Sequence, residues 1–173
     1  MFSKKSLFVL AVIVFISFLG VSAANAQDQP CPYTHLSLQG SYAVIVNYGA
    51  NVALGLQAQY LDGKGNLTRT GVLNQPTAGS TTGARTVATV SSTGTYTVNC
   101  DGTGTITRIV TRPDGTKASA IDDFIITEAM RSPLRPAIAI ATKIVDAQRD
   151  PSVILPGGVF VTRVHTRLPE IEP

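Results

Sequence analysis

The stretch Gly94-Thr-Tyr-Thr-Val-Asn-Cys-Asp-Gly-Thr-Gly-Thr-Ile-Thr107 constrains this chain more than any other. Tyr96 and Val98 alternate with Thr95, Thr97 and Asn99, and a period of two marks a half-buried strand. Cys100-Asp101-Gly102 interrupts the alternation with turn chemistry, because Asp bonds its own backbone and Gly takes positive φ without strain. Thr103, Thr105 and Thr107 resume it around Ile106, and such β-branched side chains pack well on a pleated surface. The pattern is a hairpin.

The same grammar repeats along the chain. Strands are predicted at 40–48, 54–60, 67–73, 84–91, 94–99, 103–112, 118–128, 137–145 and 159–166. In the second of these Leu54, Leu56, Ala58 and Tyr60 share one face, and Gln57 and Gln59 the other. Gly49-Ala-Asn51, Asp62-Gly-Lys-Gly-Asn66 and Pro113-Asp-Gly-Thr116 supply turns, and 74–83, 131–136 and 146–158 supply longer breaks. No stretch past residue 26 carries a helical period. Short strands joined in sequence by Gly-rich turns predict an all-β, antiparallel, eight-stranded up-and-down barrel drawn from nine runs, spanning 40–167. Closure removes the exposed edges that an open sheet would carry. The run 137–145 is apolar on both faces and needs a cover, from a terminal segment or a second subunit in a homo-oligomer.

Residues 1–26 do not belong to that pattern. Lys4 and Lys5 precede an apolar run from Leu7 to Leu19, and Ala24-Asn-Ala26 follows. This is the layout of a secretory signal peptide cut between Ala26 and Gln27, and the run is shorter than the ~20 residues a spanning helix needs. The expected product is exported, periplasmic or extracellular, with a lead-in at 27–39, a tail at 168–173 and no membrane span. Without the two leader lysines, twelve basic residues face eleven acidic ones, so charge gives no case for nucleic acid. The two cysteines, Cys31 and Cys100, both fall in the exported part, and the simplest reading is one structural disulfide.

Four segments come in a telling order: Leu38-Gln-Gly-Ser-Tyr42, Asp62-Gly-Lys-Gly-Asn66, the hairpin 94–106, and Asp123-Phe-Ile-Ile126. In this order the chain resembles a largely uncharacterised group of exported bacterial proteins whose barrel is similar to that of plant allene oxide cyclase. The resemblance covers about residues 40–164. It implies an eight-stranded antiparallel barrel, similar in architecture to lipocalins. It does not imply the cyclase reaction, because no residue here matches the plant enzyme's catalytic carboxylate or its water-holding residues.

The residue inventory names no reaction. His35 and His165 are the only histidines, too few for a zinc centre, and they read as surface residues. Asp62-Gly-Lys-Gly-Asn66 lacks the spaced carboxylates of a calcium loop and reads as a hairpin turn. Asp122 and Asp123 point to opposite faces of one strand; they read as solvated, with an inward acid as the alternative. No metal and no cofactor is expected. The candidate site is the barrel interior, with Tyr42, Val44, Leu54, Leu56, Tyr96, Phe124 and Phe160 as an apolar lining. Eight-stranded barrels are often filled by their own side chains, so the same set also serves as a packed core. The reading that results is a non-enzymatic exported barrel that binds a small apolar ligand or serves as an interaction module. An isomerase or cyclase acting on an apolar substrate inside the barrel, and a structural envelope protein, are the alternatives. An ionisable group inside the barrel separates them.

Overall fold

A computed structural model describes residues 31–49, 52–155 and 158–169, all within one compact unit. The expected leader, its cleavage point and the end of the tail lie outside the described residues, as does the centre of the turn after residue 49. The strands are β1 Gly40–Asn47, β2 Leu54–Leu61, β3 Asn66–Pro76, β4 Arg85–Val98, β5 Thr103–Thr111, β6 Lys117–Arg131, β7 Ala139–Gln148 and β8 Thr162–Arg167. Each pairs antiparallel with its neighbour in sequence, and β1 pairs with β8 to close the barrel. A 3-10 turn, His35–Leu38, precedes β1.

The nine predicted runs become eight strands because 84–91 and 94–98 are one strand, β4. Ser91-Ser-Thr-Gly94 looked like a break because it holds no apolar residue. The alternation in fact continues: Val90, Ser92, Gly94 and Tyr96 all face inward. Gly94 is required there, since a Cβ would collide with the Thr107 carbonyl oxygen of β5. Gly104 plays the matching part on β5. It stands opposite Phe124 in the register, and a Cβ would strike both the Thr97 carbonyl and the Phe124 ring. Bare backbone at such points lets neighbouring strands approach closely and bend into a cylinder.

Both ends of the cylinder are covered by the chain itself. At one end the segment before β1 lies across the mouth. Leu38 is fully buried, the Ala139 amide donates to the Pro32 carbonyl at 2.8 Å, and the Tyr96 hydroxyl donates to the His35 carbonyl at 3.1 Å. The same hydroxyl accepts from the Gly63 amide at 3.0 Å, so Tyr96 ties the β2–β3 turn and the N-terminal segment to β4. At the other end the β7–β8 connection folds back over the mouth. Ile154, Leu155 and Val159 pack on the core, and Arg112 Nε donates to the Val153 carbonyl at 2.5 Å.

Cys31 and Cys100 form the expected disulfide, across 69 residues of sequence. It anchors the N-terminal cover to the β4–β5 turn, the hairpin from which the fold was read. The chain-entropy model gives such a loop about 4–5 kcal/mol at most. Cys31→Ser should lower the denaturant midpoint of the oxidised protein; equal midpoints for variant and parent would show that the cross-link adds no stability.

Candidate functional site

The barrel is apolar towards each end and charged in the middle. Along β3 the inward residues are Leu67, Arg69, Gly71 and Leu73; along β5 they are Gly104, Ile106, Arg108 and Val110. On β6 Asp122 stands between Ala120 and Phe124, and on β7 Asp146 and Gln148 follow Ile144. On β8 Arg163 and His165 face in. Asp122 and His165 are both 0% exposed.

Six of these groups form one connected network, and Arg69 with Gln59 of β2 forms a separate pair beside it. Arg108 grips Asp122 in a bidentate fork, Nε to Oδ2 at 2.6 Å and Nη2 to Oδ1 at 2.9 Å. Arg163 Nη1 bridges two carboxylates, donating to Asp122 Oδ1 at 2.9 Å and Asp146 Oδ1 at 2.8 Å, while its Nη2 reaches Gln148 Oε1 at 3.2 Å. His165 Nε2 lies 2.7 Å from Asp146 Oδ2. Arg69 donates from Nε to Gln59 Oε1 at 2.7 Å, and its Nη2 meets the same oxygen. Several of these contacts are direct cross-strand pairs: Gln59 faces Arg69, and Asp146 faces Arg163.

Burial sets the protonation states. It pushes the His165 imidazole down, and Arg69 and Arg163 add to that against the opposing pull of Asp146. A neutral ring then donates from Nε2 to Asp146, and Nδ1 is left without a hydrogen-bond partner. Burial alone would raise Asp146, but Arg163 and the His165 hydrogen bond outweigh it and hold the carboxyl well below its usual range. Arg69 is brought down to about 9 by burial and by repulsion from Arg108 and Arg163, so it stays charged at neutral pH. Tyr48 is pushed up by burial and stays a phenol.

Of the apolar lining expected from the sequence, Tyr42, Val44, Tyr96 and Phe124 are buried inside the barrel. Leu54, Leu56 and Phe160 are not: they are 59%, 60% and 60% exposed on the outside. The reason on β2 is a face inverted relative to its hydrophobic pattern. Gln57, Gln59 and Leu61 take the inward positions because Gln59 is the acceptor for buried Arg69, and the leucines follow the pleat outward. Phe160 lies between Val159 and Val161, and of these three it is Val161 that is buried. The expectation of two surface histidines holds for His35 alone, which sets its ring edge-on to Tyr96 at 5.5 Å. His165 is buried, and the two histidines have different partners. Asp123 is solvated and pairs with Arg149, while Asp122 is the inward acid.

The barrel interior is occupied largely by its own buried side chains. A cavity of about 10 Å³, room for one water, is lined by Tyr48, Gln57, Arg69, Ser92, Arg108 and Arg163 with a few apolar neighbours. A larger open groove of about 400 Å³ lies outside, at the rim, between Asn47, Val52, Leu54, Asn74 and Arg85. Among the described residues no group of three or more His, Cys, Asp or Glu is placed to hold a metal ion. No family model matches the chain, and neither a curated protein nor a solved structure matches it.

Two expectations follow from the network. Asp122→Asn leaves Arg108 and Arg163 short of countercharge inside the barrel, and should lower the unfolding free energy by about 3–5 kcal/mol. Asp123→Asn next door should leave it nearly unchanged; chemical denaturation of the two variants compares them directly. The folded protein also holds His165 and Asp146 with fewer protons than the unfolded chain, so acid favours unfolding. Stability should be complete above the ordinary histidine value of 6.5, decline as pH falls below it, and decline again below the ordinary aspartate value of 3.8. Melting curves from neutral to acid pH measure this, and His165→Gln should abolish the first decline.

Proposed function

We propose that this protein is an exported interaction module, a lipocalin- and allene oxide cyclase-like barrel that works through its outer wall and has a second copy of itself as first partner. The observation that carries the reading is a row of exposed apolar side chains across adjacent strands. Ile45 on β1 stands beside Leu56 on β2, and Leu56 beside Val72 on β3. All three are exposed, as are Leu54, Tyr60 and Val87 nearby. The row continues the other way through Val164 and Val145, both half-buried, to exposed Ile125, which pair in turn on β8, β7 and β6. A contiguous exposed apolar patch is the usual mark of an association surface.

Charge points to self-association. No charged side chain stands at an outward position of β1, β2 or β3. A two-fold contact sets a face against its own copy, so a charge near the axis would meet its own counterpart, and a charge elsewhere would need an opposite charge on the same face. This face avoids that penalty. The filled interior supports the same reading, because a lipophilic ligand would have to displace the core side chains that occupy its place. Export is supported by the disulfide, which suits an oxidising compartment, together with the leader-like N-terminus. The ordered motifs at 38–42, 62–66, 94–106 and 123–126 support the barrel type. An isomerase or cyclase is the second reading, and its support is the Asp146–His165 pair with its unpartnered Nδ1, an oriented base.

Sedimentation velocity over a concentration series tests the first reading. The parent protein should associate reversibly, and Leu56→Lys should sediment as a monomer with an unchanged melting temperature. A parent that stays monomeric throughout the series would overturn it.

A further inference from the structure

The charged layer is not neutral. Three guanidiniums, Arg69, Arg108 and Arg163, face two carboxylates, Asp122 and Asp146, and His165 adds no charge when neutral. The excess sits on Arg69. Arg108 and Arg163 each form salt bridges, whereas Arg69 forms none: Asp146 and Asp122 act on it only at longer range, its hydrogen bonds go to the amide oxygen of Gln59, and its Nη1 is buried without a hydrogen-bond partner. A buried cation without a paired counter-ion is unfavourable, so an arrangement of this kind calls for negative charge close by.

The cavity beside Arg69 has the composition to supply a place for it. All three arginines line it, no carboxylate does, and the Tyr48 phenol and Ser92 hydroxyl add two further donors. Its volume of about 10 Å³ is room for one water-sized guest, which favours a monoatomic anion over phosphate, sulfate or an organic acid. A water molecule would fit but would leave the charge unbalanced. From this cavity, its donors and the uncompensated guanidinium, we infer that the barrel encloses a binding site for one monoatomic anion of the halide class, held chiefly by Arg69 Nη1.

Gln57 offers an unusually direct test. It lines the same cavity, and its Oε1 also lacks a hydrogen-bond partner. Gln57→Glu is nearly isosteric and places a permanent carboxylate where the anion would sit. The parent protein should melt higher in sodium bromide or chloride than in sodium gluconate at matched ionic strength, with a saturable dependence. The Gln57→Glu variant should melt in gluconate at the temperature the parent reaches in halide, and should no longer respond to halide. Crystals of the parent soaked in bromide should show an anomalous peak in the cavity. A parent that melts alike in all three salts, or bromide-soaked crystals with no peak in the cavity, would overturn the inference. The bromide experiment needs no variant, so misfolding of Gln57→Glu could not mask the outcome.

Discussion

The register of this barrel depends on the charges it buries. The ion-pair network draws on β5, β6, β7 and β8, and the Arg69–Gln59 pair on β2 and β3, so six of the eight strands contribute a polar side chain to the charged layer. A one-residue slip in any of them would turn its polar group to solvent and strand its partners in the dry interior. A two-residue slip keeps each face in place, and hydrophobic contacts tolerate that error more readily, because one aliphatic side chain replaces another at modest cost. A guanidinium that has lost its carboxylate has no such substitute. The leucines, valines and aromatic rings on either side supply the driving force for collapse, and the ion pairs select which collapsed arrangement is kept.

Apolar layers at both ends make those ion pairs effective. Tyr42 and Phe124 lie on one side of the charged layer and Val46, Leu73 and Val90 on the other. The segment before β1 and residues 153–155 then pack across the two mouths. The Tyr42 hydroxyl is spent on the Ala141 carbonyl at 3.0 Å and on Arg167, and that of Tyr96 on the backbone of the N-terminal cover. Side chains that might have anchored a ligand are instead structural ties. A barrel stoppered in this way offers its surroundings an outer wall, and that wall is uncharged over three consecutive strands.

Much of the fold was legible in the sequence. The period of two, the Gly-rich turns and the paired cysteines led to a closed antiparallel barrel with its disulfide. What misled was the assumption that apolar faces point inward, which failed on β2 because Gln59 had a buried partner that sequence alone does not display. The charged layer left a fainter trace. Arg69, Arg108, Asp146 and Arg163 each stand two residues from a buried aliphatic, so strand parity places each on the inward face. Read together, charges of opposite sign at inward parity on neighbouring strands would have signalled the network. Read singly, none of them carries a signal of burial.

The last strand carries a burden out of proportion to its length. β8 has six residues, yet it brings both Arg163 and His165, the two partners of Asp146, and it is the strand that pairs with β1 to shut the cylinder. A chain cut short before it would hold Asp146 with neither partner and Asp122 with only one of its two arginines. Such a product could not reach a quiet half-folded resting place; it would stay open, wet and exposed to proteases. The fold thus inspects its own completeness: the native interior becomes affordable only when the C-terminal strand has arrived.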